Sequence, residues 1–301
     1  MLLSVLWQII APVFIVVALG YVFARWRGVE LRPISQITLY VLSPCLVFSS
    51  LSTAELSVDD MGRIVLFALL GLLGMMALSW PVQKGLHLSA QDRSGFLLAT
   101  LFTNSGNFGI PLNLFAFGEA GKQIAVIYFA MSALLTTSVG VYIASSGRVG
   151  FRRALFEVMS VPIVYAAVLG LGMNLMASSL PEPVMKAIRL TGDAAVPLML
   201  LVLGMQLART SLASAGAAVG AASFLRLMAG PAIGVLVASL LGMEGMARQV
   251  AIVQISMPTA VMTTILANEY DSAPDLVAGT VFTDTLLSAA SLSLLLAWLM
   301  R

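Results

Sequence analysis

The 301-residue chain is 59% hydrophobic and only 10% charged, with a net charge of +2 and a mean hydropathy of +0.99. A soluble domain carries about 25% charged residues, so this composition indicates a protein embedded in a lipid bilayer. The chain shows no basic patch for nucleic acid. Its single cysteine, Cys45, and single histidine, His87, exclude an intrachain disulfide and a His/Cys metal cluster. We expect no metal and no cofactor.

Ten hydrophobic segments follow one another along the chain, each about long enough to cross a bilayer core of ~30 Å. The connections are short, so no linker can hold a soluble domain, and residues 1–301 are predicted to form one all-α membrane unit. The predicted spans run approximately over residues 3–24, 33–51, 62–83, 94–117, 122–144, 155–178, 185–208, 216–241, 247–268 and 275–299.

The distribution of Lys and Arg predicts the orientation. If the N-terminus lies outside, the inside connections hold nine basic residues and the outside segments hold six. The triplet Arg148, Arg152 and Arg153 in mid-chain is the strongest element of this bias. An even number of spans then places both termini outside.

Two of the predicted spans contain residues that interrupt a helix. The fourth carries the run 103–111, with Gly106, Gly109 and Pro111, and the ninth carries 254–259, with Pro258. Irregular backbone is tolerated at membrane depth only where it is buried in protein or lines a cavity. Paired interruptions in the two halves of a chain are typical of the binding site of a secondary transporter.

The two halves, 1–147 and 154–301, resemble one another. Leu19-Gly20 recurs as Leu169-Gly170, 150 residues later, and prolines repeat at nearly the same offset. Because each half has five spans, an odd number, the halves must be inserted with opposite orientation. The sequence therefore predicts an inverted-topology repeat. The matched prolines are Pro12 and Pro162, Pro44 and Pro197, and Pro111 and Pro258.

The breaks have the chemistry of an anion site. Pro111 and Pro258 can each begin a new half-helix, because proline suits the first helical turn. If the broken spans cross, two positive helix ends face the crossing, with no Lys or Arg in the middle of either span. We therefore expect a small anionic substrate, such as a carboxylate. The candidate substrate-binding residues are Asn104, Ser105, Asn107, Gln254, Ser256 and Thr259.

These polar residues have a second interpretation, in which they only satisfy backbone groups freed by the kinks. That interpretation is the better one for Ser105, Ser256 and Thr259. The two asparagines, Asn104 and Asn107, favour function, because an amide is costly at that depth and two lie together.

The run Asn-Ser-Gly-Asn-Phe-Gly-Ile-Pro-Leu at 104–112 resembles the fourth-span signature of the auxin efflux carrier family. Pro258 followed by Ala267-Asn268-Glu269-Tyr270 is similar to the family's ninth-span signature. The resemblance covers the whole chain. The family includes plant carriers and bacterial permeases. The short connection between spans five and six of this chain is similar to that of the bacterial members.

The resemblance implies a fold of the sodium/proton-antiporter and bile-acid-symporter type, with broken helices 4 and 9 crossed. Spans 1, 2, 6 and 7 would form a scaffold domain, and spans 3–5 and 8–10 an elevator-like transport domain. It further implies a homodimer through the scaffold, a bacterial inner-membrane location and carboxylates such as malate or malonate. Asn104 falls on the family's crossover asparagine.

Two acids within the predicted spans, Asp193 and Asp284, are candidates for proton coupling. Each has a structural alternative, such as a pair with Arg226. The overall prediction is a secondary transporter of a small organic anion. The alternatives are a sodium-coupled bile-acid-like symporter and, from another class, a membrane-embedded ligand sensor. An enzyme is not expected, because no nucleophile–base pair lies at membrane depth.

Overall fold

The computed structural model describes residues 2–146, 159–210 and 216–300. Its regular structure is helical throughout these residues, apart from an isolated antiparallel pairing of Thr103 with Thr259. The helices are α1 (Leu2–Arg27), α2 (Leu31–Ser52), α3 (Val58–Gly85), α4 (Ala90–Leu101), α5 (Ser105–Ala144), α6 (Pro162–Leu175), α7 (Glu182–Leu207), α8 (Ala217–Leu240), α9 (Gly245–Ile255), α10 (Met262–Tyr270) and α11 (Pro274–Leu299).

Seven of the described helices are long and apolar enough to cross a membrane: α1, α2, α3, α5, α7, α8 and α11. Helix α5 turns back at Gly118, whose φ of 67° and ψ of −159° are accessible to glycine and separate 105–117 from 119–144. The all-helical membrane class is thus confirmed, whereas ten crossings stay a prediction. Gly147 and the basic triplet Arg148, Arg152 and Arg153 lie outside the described residues.

The predicted spans map onto these helices in a simple way. The fourth predicted span corresponds to α4 and the first arm of α5, and the fifth corresponds to the second arm. The ninth corresponds to α9 and α10, while the sixth corresponds to α6 and to residues before it that lie partly outside the described ranges. Both spans predicted to be interrupted are therefore built from two separate helical pieces.

Several helices contain a wider turn of five residues immediately before a proline-bearing segment. Such turns precede Pro12, Pro44, Pro111 and Pro231, each the second residue of the following regular helix. Proline has no N–H to bond to the carbonyl four residues earlier, and its ring crowds that carbonyl. The backbone widens there, as helices commonly do at such interruptions.

Glycines bring two pairs of helices into backbone contact. A Cβ at Gly20 of α1 would lie 2.2 Å from the carbonyl oxygen of Leu201 on α7, so only glycine fits. A Cβ at Gly170 of α6 would lie 2.9 Å from the carbonyl oxygen of Phe48 on α2. Helix α1 is therefore packed on α7 and α6 on α2 at van der Waals distance between main chains.

Candidate substrate site

The two interruptions lie against each other. Helix α4 ends at Leu101 and α5 begins at Ser105, while α9 ends at Ile255 and α10 begins at Met262. Between them, the Asn104 N–H donates to the Pro258 carbonyl over 2.8 Å, and the Ala260 N–H donates to the Phe102 carbonyl over 2.9 Å. Each break thus satisfies backbone groups of the other, as buried irregular backbone requires.

The prolines occupy different places in the two breaks. Pro111 lies in the first turn of the regular helix that begins at Ile110, as predicted, but helical backbone already begins at Ser105 through a wider turn. Pro258 lies in the extended connection, four residues before Met262. The expectation that Pro258 begins the second half-helix is therefore wrong. Its fixed φ instead suits the extended backbone that pairs with Asn104.

A cavity of about 290 Å³ lies beside the paired breaks. Its walls come from the start of α5, the second arm of α5, the start of α10, and the facing surfaces of α2 and α7. It extends from the depth of the breaks towards Ser35, Ser160 and Glu269 near helix ends. Four predicted residues line it: Asn104, Ser105, Gly106 and Asn107.

The side chain of Asn104 has an unused donor in this wall. Asn104 is 5% exposed, and its Nδ2 has no hydrogen-bond partner among the described residues. A buried donor without a partner costs free energy, so such groups commonly mark a missing ligand or water. Asn107 is half-buried in the same wall. The two asparagines that the sequence favoured for function are therefore both at the cavity.

The electrostatics of the cavity come from helix ends. The first residues of α5 and of α10 both line it, so the positive ends of two helices lie at the same space. No Lys or Arg is among the described residues of the lining, and Glu269 is its one carboxylate. The arrangement can hold a small anion without a basic side chain.

The other three candidates lie away from the cavity wall. Gln254 Nε2 donates to the Ala125 carbonyl over 3.0 Å, and Ser256 Oγ donates to the Ile252 carbonyl over 2.6 Å. Thr259 Oγ1 lies 2.7 Å from the Ala99 carbonyl oxygen. Gln254 and Thr259 thus contact other helices, whereas Ser256 bonds within its own helix end, and the contacts of Ser256 and Thr259 are those that the kink-repair interpretation expects. For Gln254 the contact favours a packing role over the predicted contact with substrate.

The two glycines in the first break make room for neighbouring side chains. A Cβ at Gly109 would lie 2.0 Å from Gln254 Oε1, and one at Gly106 would lie 2.6 Å from the ring of Phe129. Both distances are below van der Waals contact, so these glycines permit close packing of α5 against α9 and against its own second arm.

The two candidate coupling acids have different surroundings. Asp193 has a side chain that is 69% exposed and lies 3.9 Å from Lys122 Nζ, away from the cavity. Its exposure does not fit the predicted intramembrane acid. Asp284 is fully buried, and its Oδ2 lies 2.6 Å from Thr259 Oγ1. It is also attracted electrostatically to Arg226, the partner considered in its structural alternative.

Sequence reasoning missed the polar groups that other helices contribute to the cavity. These residues sit singly or in short groups on largely apolar segments, where a hydroxyl usually bonds to its own helix, as Thr38 and Thr136 do here. Nothing in their local sequence separates a cavity wall from an ordinary helix face. The polar lining residues of this kind are Thr38, Ser43, Ser132, Thr136, Thr137 and Gln206.

A family model described as "Membrane transport protein" matches the chain twice, over residues 5–154 and 151–296. The chain is 31% identical to an uncharacterized transporter of Methanothermobacter thermautotrophicus, over 95% of this chain and 96% of that one. It is 26% identical to a provisionally named malonate transporter of Rhizobium meliloti, over 96% and 94%.

Part of the chain also matches a plant protein. It is 31% identical to auxin efflux carrier component 3a of Oryza sativa, over 38% of this chain and 19% of the carrier. The predicted relationship is confirmed by these matches. The chain belongs to the membrane transport protein family, which is the family of the auxin efflux carriers.

Proposed function

We propose that this protein is a secondary transporter of a small organic anion, with the substrate held in the 290 Å³ cavity at the paired breaks. The observation that carries this proposal is the buried, unpartnered Nδ2 of Asn104 in the cavity wall. An anionic oxygen is the acceptor that this donor and the adjoining helix ends would bind best.

A carboxylate fits this wall better than a neutral solute of equal size. Two helix N-termini provide about half a positive charge each, and they act in a buried site of low dielectric. Ser105 and Asn107 add polar groups beside Asn104. The cavity volume suits a mono- or dicarboxylate of a few carbons, and the name of the Rhizobium meliloti relative includes malonate.

The proposed membrane arrangement has ten crossings in two inverted repeats of five. Gly20 and Gly170 are 150 residues apart, and their contact partners Leu201 and Phe48 are 153 apart. Each half thus places the equivalent glycine against the equivalent position of the other half, which a two-fold related pair of repeats explains. The two matches of one family model, one in each half, support the same arrangement.

The proposed mechanism is an elevator-like movement between a scaffold and a transport domain. The cavity lies between α2 and α7 on one side and the paired breaks on the other. If both termini lie outside, the helix ends beyond Ser35, Ser160 and Glu269 face inside, so this conformation is open inward. A homodimer through the scaffold and a bacterial inner-membrane location complete the proposal.

The test is uptake by proteoliposomes that contain the purified protein. Labelled malonate, malate and a monocarboxylate would be compared, each with and without imposed pH and sodium gradients. We expect saturable uptake of at least one of these acids, competed by unlabelled acid and not by its neutral amide. Equal competition by the amide, or no uptake of any acid in the panel, would contradict an anion site. Strict dependence on sodium would favour the symporter alternative.

A further inference from the structure

Arg226 of α8 is fully buried, and its guanidinium joins the ends of two other helices. Its Nη1 donates to the Thr100 carbonyl over 2.7 Å, and its Nη2 donates to the Ile255 carbonyl. Thr100 is the second-last residue of α4, and Ile255 is the last residue of α9. One side chain therefore bonds to the carboxyl ends of both interrupted helices.

These acceptors need a donor because of where they lie. The last four carbonyls of a helix have no partner within the helix and carry its negative end. Where α4 and α9 stop inside the protein, water cannot supply that donor. A planar guanidinium with several donors in fixed directions can serve both carbonyls at once, whereas a lysine amine is a single point of charge.

The residues around Arg226 leave room for its guanidinium between the two helix ends. A Cβ at Gly230, one turn further along α8, would lie 2.6 Å from Arg226 Nη2 and 3.2 Å from the Ile255 carbonyl oxygen. Tyr128 and the fully buried Asp284 of α11 both act electrostatically on the guanidinium, but neither forms an ion pair with it within 4.0 Å in the described part of the chain. Asp284 in turn contacts Thr259, within the second break.

We propose that Arg226 is a positioning residue: by binding the ends of α4 and α9 together it fixes the paired breaks, and through them the orientation of Asn104. The inference rests on the proposed function for its role in transport, and its structural part stands without a substrate.

The test measures amide hydrogen exchange in detergent-solubilised protein, which needs no ligand. The peptides of interest contain the N–H groups of Asn104 and Ala260, which hold the two breaks together. In Arg226→Lys these peptides should exchange about tenfold faster or more, because a hydrogen bond to a charged group is lost. The remaining helices should keep their exchange rates.

Gly230→Ala provides a second variant that retains every charge. Its methyl group would displace the Arg226 Nη2 from the Ile255 carbonyl, so the same two peptides should exchange faster. Gly220→Ala is the matched control on α8, since a Cβ there meets nothing within 4 Å. This pair keeps the test decisive even where replacement of the arginine itself prevents folding.

Unchanged exchange at both breaks in Arg226→Lys and Gly230→Ala would overturn the proposal. Faster exchange throughout all helices would also overturn it, because Arg226 would then support the fold in general. If the two variants exchange faster only at the breaks, and the wild-type protein takes up none of the tested acids, the positioning role is supported and the proposed function is not. Local loosening together with weaker acid binding would support both.

Discussion

The backbone N–H of Asn104 donates to the carbonyl of Pro258 over 2.8 Å, so the two interrupted helices meet at residues 154 positions apart in the chain. The bond gives the main chain of Asn104 a partner in the opposite break and leaves its side chain free to face the cavity. The main chain of Asn104 therefore fixes the position of the residue, and its side-chain amide is left to contact a ligand.

Replacing the Asn104 side chain is expected to weaken anion binding without unfolding the protein. In Asn104→Ala the affinity for a transported acid should fall about tenfold or more, since a hydrogen bond to a charged group contributes ~1.5–3 kcal/mol. Asn104→Asp should bind still more weakly, because it places a negative charge beside an anion at low dielectric. Isothermal titration with the best acid of the uptake panel measures both.

Asn268→Ala is the matched control for this series. Asn268 is exposed and its Nδ2 already donates to the Thr264 carbonyl of its own helix, away from the cavity. Its affinity should equal that of the wild type. If Asn104→Ala and Asn104→Asp also bind with wild-type affinity, Asn104 has no role beyond the kink.

The positions of the breaks and the pair Asn104–Asn107 were predictable, because glycine, proline and amides interrupt an apolar run in only a few places. The contribution of α2 and α7 to the cavity was not. Thr38 and Gln206 are each flanked by apolar residues in the chain, and their placement at the cavity depends on tertiary packing. Arg226 was identifiable as a buried charge, but its two carbonyl acceptors depend on where α4 and α9 stop.

The two prolines of the breaks are expected to differ in effect. Pro258→Ala adds an N–H in the connection that pairs with Asn104 and removes the constraint on φ, so α10 can extend backwards and disrupt the pairing. Pro111→Ala falls in the first turn of a regular helix, where alanine is well tolerated. Initial uptake rates, normalised to the protein reconstituted, should be reduced more by Pro258→Ala.

The scaffold prolines serve as controls for this comparison. Pro12→Ala and Pro162→Ala lie in α1 and α6, which the proposed mechanism keeps rigid, and should leave uptake close to the wild-type rate. Loss of uptake in these two variants, with normal uptake in Pro258→Ala, would place the site elsewhere.

The predicted orientation can be tested with single cysteines on a Cys45→Ala background. Ser146 and Asp271 are exposed and lie at the predicted inside ends of their helices, whereas Ala120 and Glu244 are exposed at the predicted outside ends. An impermeant thiol reagent applied to intact cells should label cysteines at 120 and 244 and leave those at 146 and 271 unreacted. The reverse pattern would invert the topology.

The glycines between α1 and α7, and between α6 and α2, are expected to be equivalent. Gly20→Ala and Gly170→Ala each force a methyl group against a main-chain carbonyl, which should lower the free energy of unfolding by roughly 1–3 kcal/mol. Gly172→Ala, also on α6, meets nothing within 4 Å and should have little effect. Thermal unfolding in detergent compares the three. A loss of stability at only one of the two positions would weaken the case for symmetric repeats.

The two acids that were predicted from the sequence as candidates for proton coupling should respond differently to replacement by asparagine. Asp193→Asn should transport at the wild-type rate, because the Asp193 side chain is 69% exposed and its contact with Lys122 Nζ is a long one, at 3.9 Å. Asp284→Asn should be less stable than the wild type, because it changes the buried contact with Thr259 and removes a negative charge that acts on Arg226. Thermal unfolding and uptake, measured on the same preparations, distinguish these outcomes.

A stable Asp284→Asn protein would have a specific meaning. Thr259 Oγ1 has one hydrogen, yet it lies 2.7 Å from the Ala99 carbonyl oxygen and 2.6 Å from Asp284 Oδ2. If the hydroxyl donates to Ala99, only a protonated Asp284, or an asparagine amide, can donate to Thr259 in turn. Wild-type stability in Asp284→Asn would therefore indicate a neutral carboxyl and exclude a stabilising charge interaction with Arg226. Loss of stability, partly restored by adding Arg226→Met, would show that the two charges are held as a pair.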